Sequence, residues 1–203
     1  TRTGNEALEK DRLKSELALL RLQVSPHFLM NTLNNIHSLI LIDKDRAMDA
    51  VIRLSTLMRY VLYDTQTGRT SLSKELAFIE SYCSLMRLRY TDQVELKVEL
   101  PNPVPDIQIP TMLFINFLEN AFKHGISYQH PSFVHFSVCI EDGHLTGKIA
   151  NSVHPDKKIS DARYSGIGLA NVRNTLTLLY QDKFTLDIQN NTDSFTVLLS
   201  IPV

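Results

Sequence analysis

The chain has 203 residues, 43% of them hydrophobic and 21% charged, which is the balance of a globular protein with a buried core. Its 21 basic and 22 acidic residues leave a net charge of -1, which argues against the basic surface of a nucleic-acid-binding or membrane-surface protein. The two cysteines, Cys83 and Cys139, lie far apart in apolar sequence, and we expect both to be buried thiols.

The first half of the chain has the three- to four-residue periodicity of helices. Residues 13–24 predict a helix or short coiled coil, and residues 44–64 predict a second long helix. A turn at 66–69 follows, and Ser73 is the expected N-cap of a third helix, with Glu75 in its first turn. Because the sequence begins within a helical pattern, we expect it to be part of a longer protein.

Beyond residue 92 the period changes to two, which predicts strands. Two helices interrupt these strands, and Asp142-Gly143 predicts a hairpin turn. The predicted strands and helices are, in order, strand 94–100, helix 109–126, strands 134–140 and 144–151, helix 166–180, and strands 184–189 and 194–201. The predicted fold class is α+β: a helical hairpin over 1–92, followed by an α/β sandwich over 93–203.

The segment SPHFLMNTLN, residues 25–34, places a proline, a histidine and amides within a helical pattern. At about 100° per residue, apolar and polar residues gather on opposite sides: Leu29, Leu33, Ile36 and Ile40 against His27, Asn31, Asn34 and Ser38. We expect the apolar side to hold the helix in a bundle and the imidazole to face outward. Pro26 lacks an N–H group and permits a bend.

His27 has two interpretations: a surface histidine beside a kink, or a nucleophile. A neutral imidazole keeps a lone pair for attack on phosphorus, and its ordinary pKa leaves it mostly neutral near pH 7. The segment resembles the phosphoacceptor box of LytS-like sensor histidine kinases, roughly PHFLFNTLN, and LSKELAFIESYCSLMRLRY resembles the helix that follows it there. The resemblance implies autophosphorylation of His27.

The resemblance has different implications for two positions near His27. Many histidine kinases have an acid directly after the histidine, but this position is Phe28, as in the LytS-like pattern, so no orienting group is identified. Asn31, one turn on, is implied to position a water for dephosphorylation of a partner. The alternative is that Asn31 is a helix-surface amide.

FLENAFKHGI, residues 117–126, resembles the N-box of the ATP-binding fold of gyrases, heat-shock chaperones, MutL proteins and histidine kinases. The resemblance implies that Asn120 ligates Mg²⁺, that Lys123 and His124 meet phosphate oxygens, and that Glu119 helps to orient the site. The alternative is that Asn120 is a buried polar residue with a hydrogen-bond partner. Asn116 occupies the place where the ATPases of this fold have a water-activating glutamate, so we expect slow hydrolysis.

Two further segments resemble nucleotide-binding boxes. SGIGLANV, residues 165–172, resembles the second glycine box, in which Gly166, Gly168 and Leu169 would meet the phosphates at a helix start. The alternative is a plain loop-to-helix turn. In KIANSVHP, Asn151 aligns with the adenine-binding aspartate of the family, but the usual glycines are absent. We expect residues 152–165 to form a lid.

The sequence therefore predicts the cytoplasmic catalytic core of an inner-membrane sensor kinase that uses ATP and Mg²⁺. We expect a homodimer that phosphorylates a response regulator, has no direct contact with nucleic acid, and meets the membrane only through segments outside this chain. The alternatives are a pseudokinase scaffold, favoured by the missing glycines, and an ATPase or serine kinase of the same fold. Four residues are expected on solvated helix faces, with interdomain or partner contacts as the alternative: Arg59, Tyr60, Arg87 and Arg89.

Overall fold

The computed structural model of the chain describes residues 26–154 and 165–203. Its helices are α1 (Pro26–Ile42), α2 (Lys44–Arg59), α3 (Leu72–Arg87), α4 (Ile115–Gly125) and α5 (Ser165–Tyr180), and a π-helical turn (Tyr60–Asp64) extends α2. Its strands are β1 (Arg69–Ser71), β2 (Val94–Glu99), β3 (Gln108–Pro110), β4 (Ser132–Glu141), β5 (His144–Ser152), β6 (Thr185–Asn190) and β7 (Ser194–Pro202). None of the helices in these ranges has the length and hydropathy needed to cross a bilayer. The predicted helix over 13–24 lies outside the described residues.

Short polar side chains fix where the helices of the first half begin. Asp43 ends α1 and caps α2, accepting a hydrogen bond from the Arg46 N–H at 3.0 Å. Ser71, not Ser73, caps α3: its backbone is extended, and its hydroxyl accepts from the Lys74 N–H. The predicted Ser73 cap is therefore wrong, because strand β1 ends at Ser71 and Ser73 already lies within the first helical turn.

The second half is built on a mixed five-stranded sheet in the order β2-β4-β5-β7-β6. Strands β2 and β4 pair in parallel, and the other pairs are antiparallel. The predicted hairpin turn is confirmed, since Asp142 and Gly143 have φ values of 50° and 72°. Helix α4 packs on β4 and β5: Phe114, at its N-cap, lies so close to Gly147 that a Cβ there would be 2.3 Å from the ring.

Helix α3 joins the two halves through one continuous core. The Phe28 ring of α1 lies 5.1 Å from the Tyr82 ring of α3, and the Tyr82 ring lies 5.9 Å from that of Phe122 on α4. Below α3, strands β1 and β3 form a two-stranded sheet that also crosses between the halves. The architecture is α+β, with a helical hairpin before a mixed sheet, which confirms the predicted fold class. The boundary near residue 92 stays a prediction.

The apolar side predicted for the first helix is only partly buried. Ile36 is buried, but Leu33 and Ile40 are 45% and 54% exposed. The side of α1 that faces the core is instead Phe28, Thr32 and Ile36. The difference arises because the Phe28 ring packs, in a tilted arrangement, on the Tyr82 ring of α3, so the side of α1 that carries Phe28 faces α3.

Two other expectations about burial need correction. Cys83 is buried, as predicted, but Cys139 is exposed near the end of β4. Tyr60 is not on a solvated face: it is 2% exposed and its ring stacks on Phe78 at 4.4 Å. The period of a single helix does not reveal this contact, because it depends on how α3 crosses the end of α2.

Candidate active site

His27 lies in the first turn of α1, and its backbone belongs to the described helix. Its side chain is outside what the structure describes, as is the predicted bend at Pro26, so the outward imidazole stays a prediction. The next residue, Phe28, is 5% exposed, so the start of α1 packs against the rest of the protein. Asn31, one turn further, is half-buried.

A cleft of about 380 Å³ opens beside the start of α1. Three elements line it: α1, the end of α3 with the residues that follow it, and the second half of α4 with the loop after it. The lining residues are Phe28, Tyr82, Met86, Arg89, Tyr90, Glu119, Phe122, Lys123, Ile126 and Tyr128. The cleft therefore lies between the histidine segment and the helix that carries the predicted N-box.

The cleft is lined by aromatic rings together with one acidic and two basic side chains. Tyr90 stacks on Phe122, with ring centroids 6.1 Å apart, and the Arg89 guanidinium lies over the Tyr90 ring at 5.8 Å. Lys123 is exposed at the rim. Burial raises the pKa of Glu119 to about 8, so near pH 7 this carboxyl group is mostly protonated and can donate a hydrogen bond as well as accept one.

A second hollow, of about 180 Å³, lies on the other side of α4, between α4 and α5. Asn116 lines it together with Val172, Thr175 and Leu176 of α5. The Oδ1 atom of Asn116 is buried and has no hydrogen-bond partner among the described residues. A buried amide oxygen without a partner is costly unless a ligand or water meets it.

Asn116 and Asn120 lie one turn apart on α4, so both are on one face of the helix. Amide oxygens beside phosphate and water are ligands that Mg²⁺ accepts. The orphaned Oδ1 atom of Asn116, one turn before half-buried Asn120, therefore fits a site for Mg²⁺ and phosphate. Half-buried His124 is one further turn along the same face.

Asn151 lies at the end of β5, against the C-terminus of α4. It is 3% exposed, and a Cβ on Gly125 would lie 2.7 Å from the Asn151 Cβ. Its Nδ2 group donates to the Ser152 carbonyl at 2.9 Å. Because a carbonyl only accepts, this contact fixes the amide orientation and leaves Oδ1 as the acceptor end. Such an acceptor suits an amino group of a base.

A buried polar network, which sequence reasoning missed, secures this corner. The Ser152 hydroxyl donates to the Gly125 carbonyl at 2.6 Å, and His154 Nε2 lies 3.2 Å from the same carbonyl and 3.0 Å from Ser132 Oγ. A carbonyl partner requires that Nε2 carries the hydrogen. The network ties the end of α4 to β4 and β5, which fixes Asn151 relative to Asn120.

The predicted glycine box lies at the start of α5. Gly166 and Gly168 fall in its first turn, where backbone N–H groups have no acceptor within the helix. Such a turn suits an anion. Leu169 is half-buried and packs against the core. Most of the predicted lid, at 155–164, lies outside the described residues.

The environment of Arg89 differs from the one predicted from the sequence. Arg89 was expected on a solvated helix face, but it is half-buried and lines the cleft. The only sequence signal was its place in the run RLRY that ends the α3 segment. Arg59 and Arg87 are exposed, and Arg87 donates a hydrogen bond to the Leu96 carbonyl.

Comparison with known proteins gives one family match and a set of relatives. The family model described as histidine kinase matches residues 15–94. The sensor protein LytS of Streptococcus agalactiae serotype V is 28% identical over 208 residues, covering 96% of this chain and 36% of that protein. The sensor histidine kinase BtsS of Escherichia coli K12 is 29% identical over 191 residues, covering 93% of this chain and 34% of that protein. The chain thus spans about a third of the length of these relatives.

One solved structure is similar over nearly the whole chain. It is the histidine kinase domain of the blue-light activated histidine kinase from Erythrobacter litoralis EL346. The TM-score is 0.51 at 14% identity, and the match covers 96% of this chain and 95% of that one. At this identity the likeness concerns the fold.

Proposed function

We propose that this chain, which is similar in sequence to LytS-like sensor histidine kinases, transfers the γ-phosphoryl group of ATP to His27 and then to an aspartate of a response regulator. The observation that carries this proposal is the shared cleft. Phe28, the residue after His27, lines the same cleft as Glu119 and Lys123, which flank Asn120 on α4. The two halves of the reaction therefore meet at one opening.

His27 supplies the nucleophile in the proposed reaction. The unprotonated nitrogen of the neutral ring attacks the γ-phosphorus, a nitrogen–phosphorus bond forms, and the phosphorus–oxygen bond to the leaving group breaks. The electron pair of the broken bond leaves on the β-phosphate oxygen of ADP. The phosphorylated ring, which is briefly a cation, then loses its remaining N–H proton to water.

The other residues hold and orient the nucleotide. Asn116 and Asn120 would hold Mg²⁺, which supplies charge neutralisation between phosphates. Lys123 and His124 would meet phosphate oxygens, and the first-turn N–H groups at Gly166 and Gly168 would do the same from α5, with Leu169 behind them. Asn151 would accept a hydrogen bond from the adenine amino group through Oδ1. The fixed amide of Asn151 supports this role despite the absent glycines.

The proposal also covers the oligomeric state of the chain, its division into two regions and its location in the cell. Large apolar side chains of α1 and α2 are exposed, which supports pairing of two copies into a four-helix bundle. They include Met30, Leu33, Ile40, Met48, Val51 and Ile52. We take residues 1–92 as the dimerising phosphotransfer region and 93–203 as the ATP-binding domain. The chain would be the cytoplasmic part of a membrane sensor, and Asn31 would position water when the regulator is dephosphorylated.

The test is autophosphorylation of the chain with radiolabelled ATP and Mg²⁺. We expect an acid-labile, base-stable label that His27→Gln abolishes. His37→Gln is the matched control, because His37 is an exposed histidine on the same helix outside the box, and it should keep the label. A parent chain that binds ATP but takes up no label would contradict the kinase proposal and leave the scaffold alternative. A label that survives His27→Gln would place the acceptor elsewhere.

A further inference from the structure

We propose that Arg89 is a catalytic residue that holds the γ-phosphoryl group in the cleft while it passes to His27. This inference rests on the proposed function and deepens it, because it assigns the transferring group a binding site of its own. Arg89 follows α3, on the side of the cleft formed by the helical half. It thus faces the reaction from the opposite wall to Lys123.

The first argument is position. The cleft wall includes Phe28 from the histidine segment, Arg89 from the end of α3, and Lys123 from α4. A phosphoryl group moving from α4 toward the start of α1 must cross this cleft. At about 380 Å³ the cleft has ample room for a phosphoryl group and an imidazole together.

The second argument is the geometry of α4. At about 100° per residue, Lys123 falls between the face of Asn116 and Asn120 and the face of Glu119 and Phe122, which turns into the cleft. A triphosphate with its metal-binding phosphates at the asparagine face therefore reaches the cleft past Lys123. The terminal phosphate then meets the far wall, where Arg89 lies.

The third argument is charge. Among residues 26–154 and 165–203, no carboxylate forms an ion pair with Arg89: its recorded contacts are the Tyr90 ring and, at 4.0 Å, the Met86 sulfur. Arg89 therefore presents to the cleft a guanidinium group that has no carboxylate partner among the described residues, which suits the binding of an anion.

The fourth argument is the chemistry of the guanidinium. The transition state of phosphoryl transfer spreads negative charge over three equatorial oxygens, and arginine donates two parallel hydrogen bonds to such a group. The contact between the Arg89 guanidinium and the Tyr90 ring, at 5.8 Å, restrains the side chain before the phosphate arrives. A lysine offers only a point charge, so Arg89→Lys should retain only part of the effect.

The experiment compares Arg89→Gln, Arg89→Lys and the control Arg87→Gln in the full chain. Arg87 is two residues earlier, is exposed, and is not part of the cleft wall. Two quantities are measured: the single-turnover rate of label transfer, and the dissociation constants of ADP and of AMP-PNP with Mg²⁺ by calorimetry. ADP lacks the γ-phosphate that Arg89 would hold, so it reports on the rest of the nucleotide site.

We expect Arg89→Gln to slow transfer by about 1,000-fold, the lower end of the range for arginines that stabilise phosphoryl transfer. Arg89→Lys should slow it less, because lysine keeps the charge but loses the two parallel hydrogen bonds. Arg89→Gln should weaken the binding of AMP-PNP by about 10-fold, as expected for the loss of one charge-assisted contact. It should leave the affinity for ADP unchanged. Arg87→Gln should stay within about twofold throughout.

Several results would overturn the inference. One is transfer by Arg89→Gln within twofold of the parent, and another is equal weakening of ADP and AMP-PNP, which would indicate a structural role. If the parent takes up no label, the proposed function fails, and the ratio of AMP-PNP to ADP affinity then tests the anion site by itself. A ratio that Arg89→Gln leaves unchanged refutes the site, and a loss of affinity for AMP-PNP alone supports it. A parent that binds neither nucleotide refutes both proposals.

Discussion

At the scale of single residues, the most constrained side chain outside the cleft is Glu75. It is fully buried on α3, accepts hydrogen bonds from the N–H groups of Met112 at 3.1 Å and Leu113 at 2.9 Å, and accepts from the Tyr60 hydroxyl. Met112 has φ of 56°, a left-handed conformation that a non-glycine residue adopts only when its surroundings hold it. Glu75 thus connects the π-helical turn after α2 to the segment that starts α4.

Glu75 makes folding pH-dependent. Burial raises its pKa to about 7, from 4.5, against the opposing effect of the hydrogen bonds it accepts. Because the folded state binds the proton more tightly, the free energy of unfolding should be greatest below about pH 4.5 and fall by roughly 3 kcal/mol as the pH rises to about 7, then level off. Urea unfolding at a series of pH values measures this fall.

Glu75→Gln is the comparison for that prediction, since its amide keeps the shape and one acceptor oxygen but does not titrate. Glu119 also titrates in the folded protein, so only the difference between parent and variant isolates Glu75. If the two pH profiles run parallel between about pH 4.5 and 7, the carboxyl group at 75 does not titrate as described.

Glu119 should limit label transfer at high pH. Its pKa of about 8, raised by burial, means that it is mostly protonated near pH 7 and ionises as the pH rises through about 8. The carboxylate then opposes the incoming phosphoryl group. We expect the single-turnover rate to fall above about pH 8 in the parent, and the fall to be absent in Glu119→Gln. An identical alkaline limb in both proteins would assign it to another group.

The sequence was informative about the site where motifs are contiguous. Asn116 and Asn120 lie one turn apart on one short helix, so their spacing alone indicates a common face. Arg89 and Asn151 depend instead on contacts between elements remote in the chain: the end of α3 with α4, and the end of β5 with Gly125. No periodicity within one segment reveals such contacts.

At the scale of elements, the position of α4 is set by a close approach at its C-terminus. A Cβ on Gly125 would lie 2.7 Å from the Asn151 Cβ and 2.9 Å from its Nδ2 atom. Gly125→Ala should therefore push α4 from β5, reduce the free energy of unfolding by about 1–3 kcal/mol and weaken nucleotide binding. Thermal unfolding and calorimetry with ADP measure the two effects.

Gly143→Ala is the control for this prediction. Gly143 has φ of 72° in the β4–β5 turn, and a Cβ there meets no atom within 4 Å. The variant should lose stability through backbone strain and keep its affinity for ADP. Equal losses of affinity in both variants would mean that general destabilisation, not the α4–β5 contact, weakens binding.

The start of α3 gives a separate prediction about capping. Ser71→Ala removes the acceptor of the Lys74 N–H group and should lower the free energy of unfolding by about 1 kcal/mol. Ser73→Ala should change it much less, because Ser73 caps nothing. Urea unfolding of the two variants compares them directly, and the reverse order would restore Ser73 as the cap.

Element prediction succeeded where a period is long enough to be seen. Strands β2, β4, β5 and β7 alternate over six or more residues, and each lies close to its predicted position. Strands β1 and β3 have three residues each, too few for a period, and neither was predicted. The π-helical turn after α2 also carries no sequence signature, because it shares its residue pattern with an ordinary helix.

At the scale of the whole molecule, the exposed apolar side chains of the hairpin predict self-association. Ile52 is 64% exposed on α2. Ile52→Glu should halve the mass measured by light scattering at micromolar concentration, because a charge at the centre of a paired bundle is not compensated. Leu178→Glu is the control: Leu178 is 86% exposed on α5, away from the hairpin. A monomeric parent would refute the homodimer.

The sequence indicated two halves but not how they share a core. The change of period near residue 92 separates helices from strands. It says nothing about α3, which packs on α2 and also meets Phe122 of α4 through Tyr82, as Tyr90 does just after the end of α3. Side chains on two faces of one helix serve both halves, and a hydrophobic pattern alone does not say which neighbour each face meets.

The ring contacts of Phe28 with Tyr82, and of Tyr82 with Phe122, would also limit the order of events in the proposed reaction. While these rings stay together, the nucleotide half occupies the approach to the start of α1. In the proposed reaction, a receiver domain would need the same approach to take the phosphoryl group, so the two encounters would exclude each other in time. Each turnover would then require these rings to separate. The strength of the ring contacts would set how long the nucleotide-binding half stays at the start of α1 before a receiver domain can bind there.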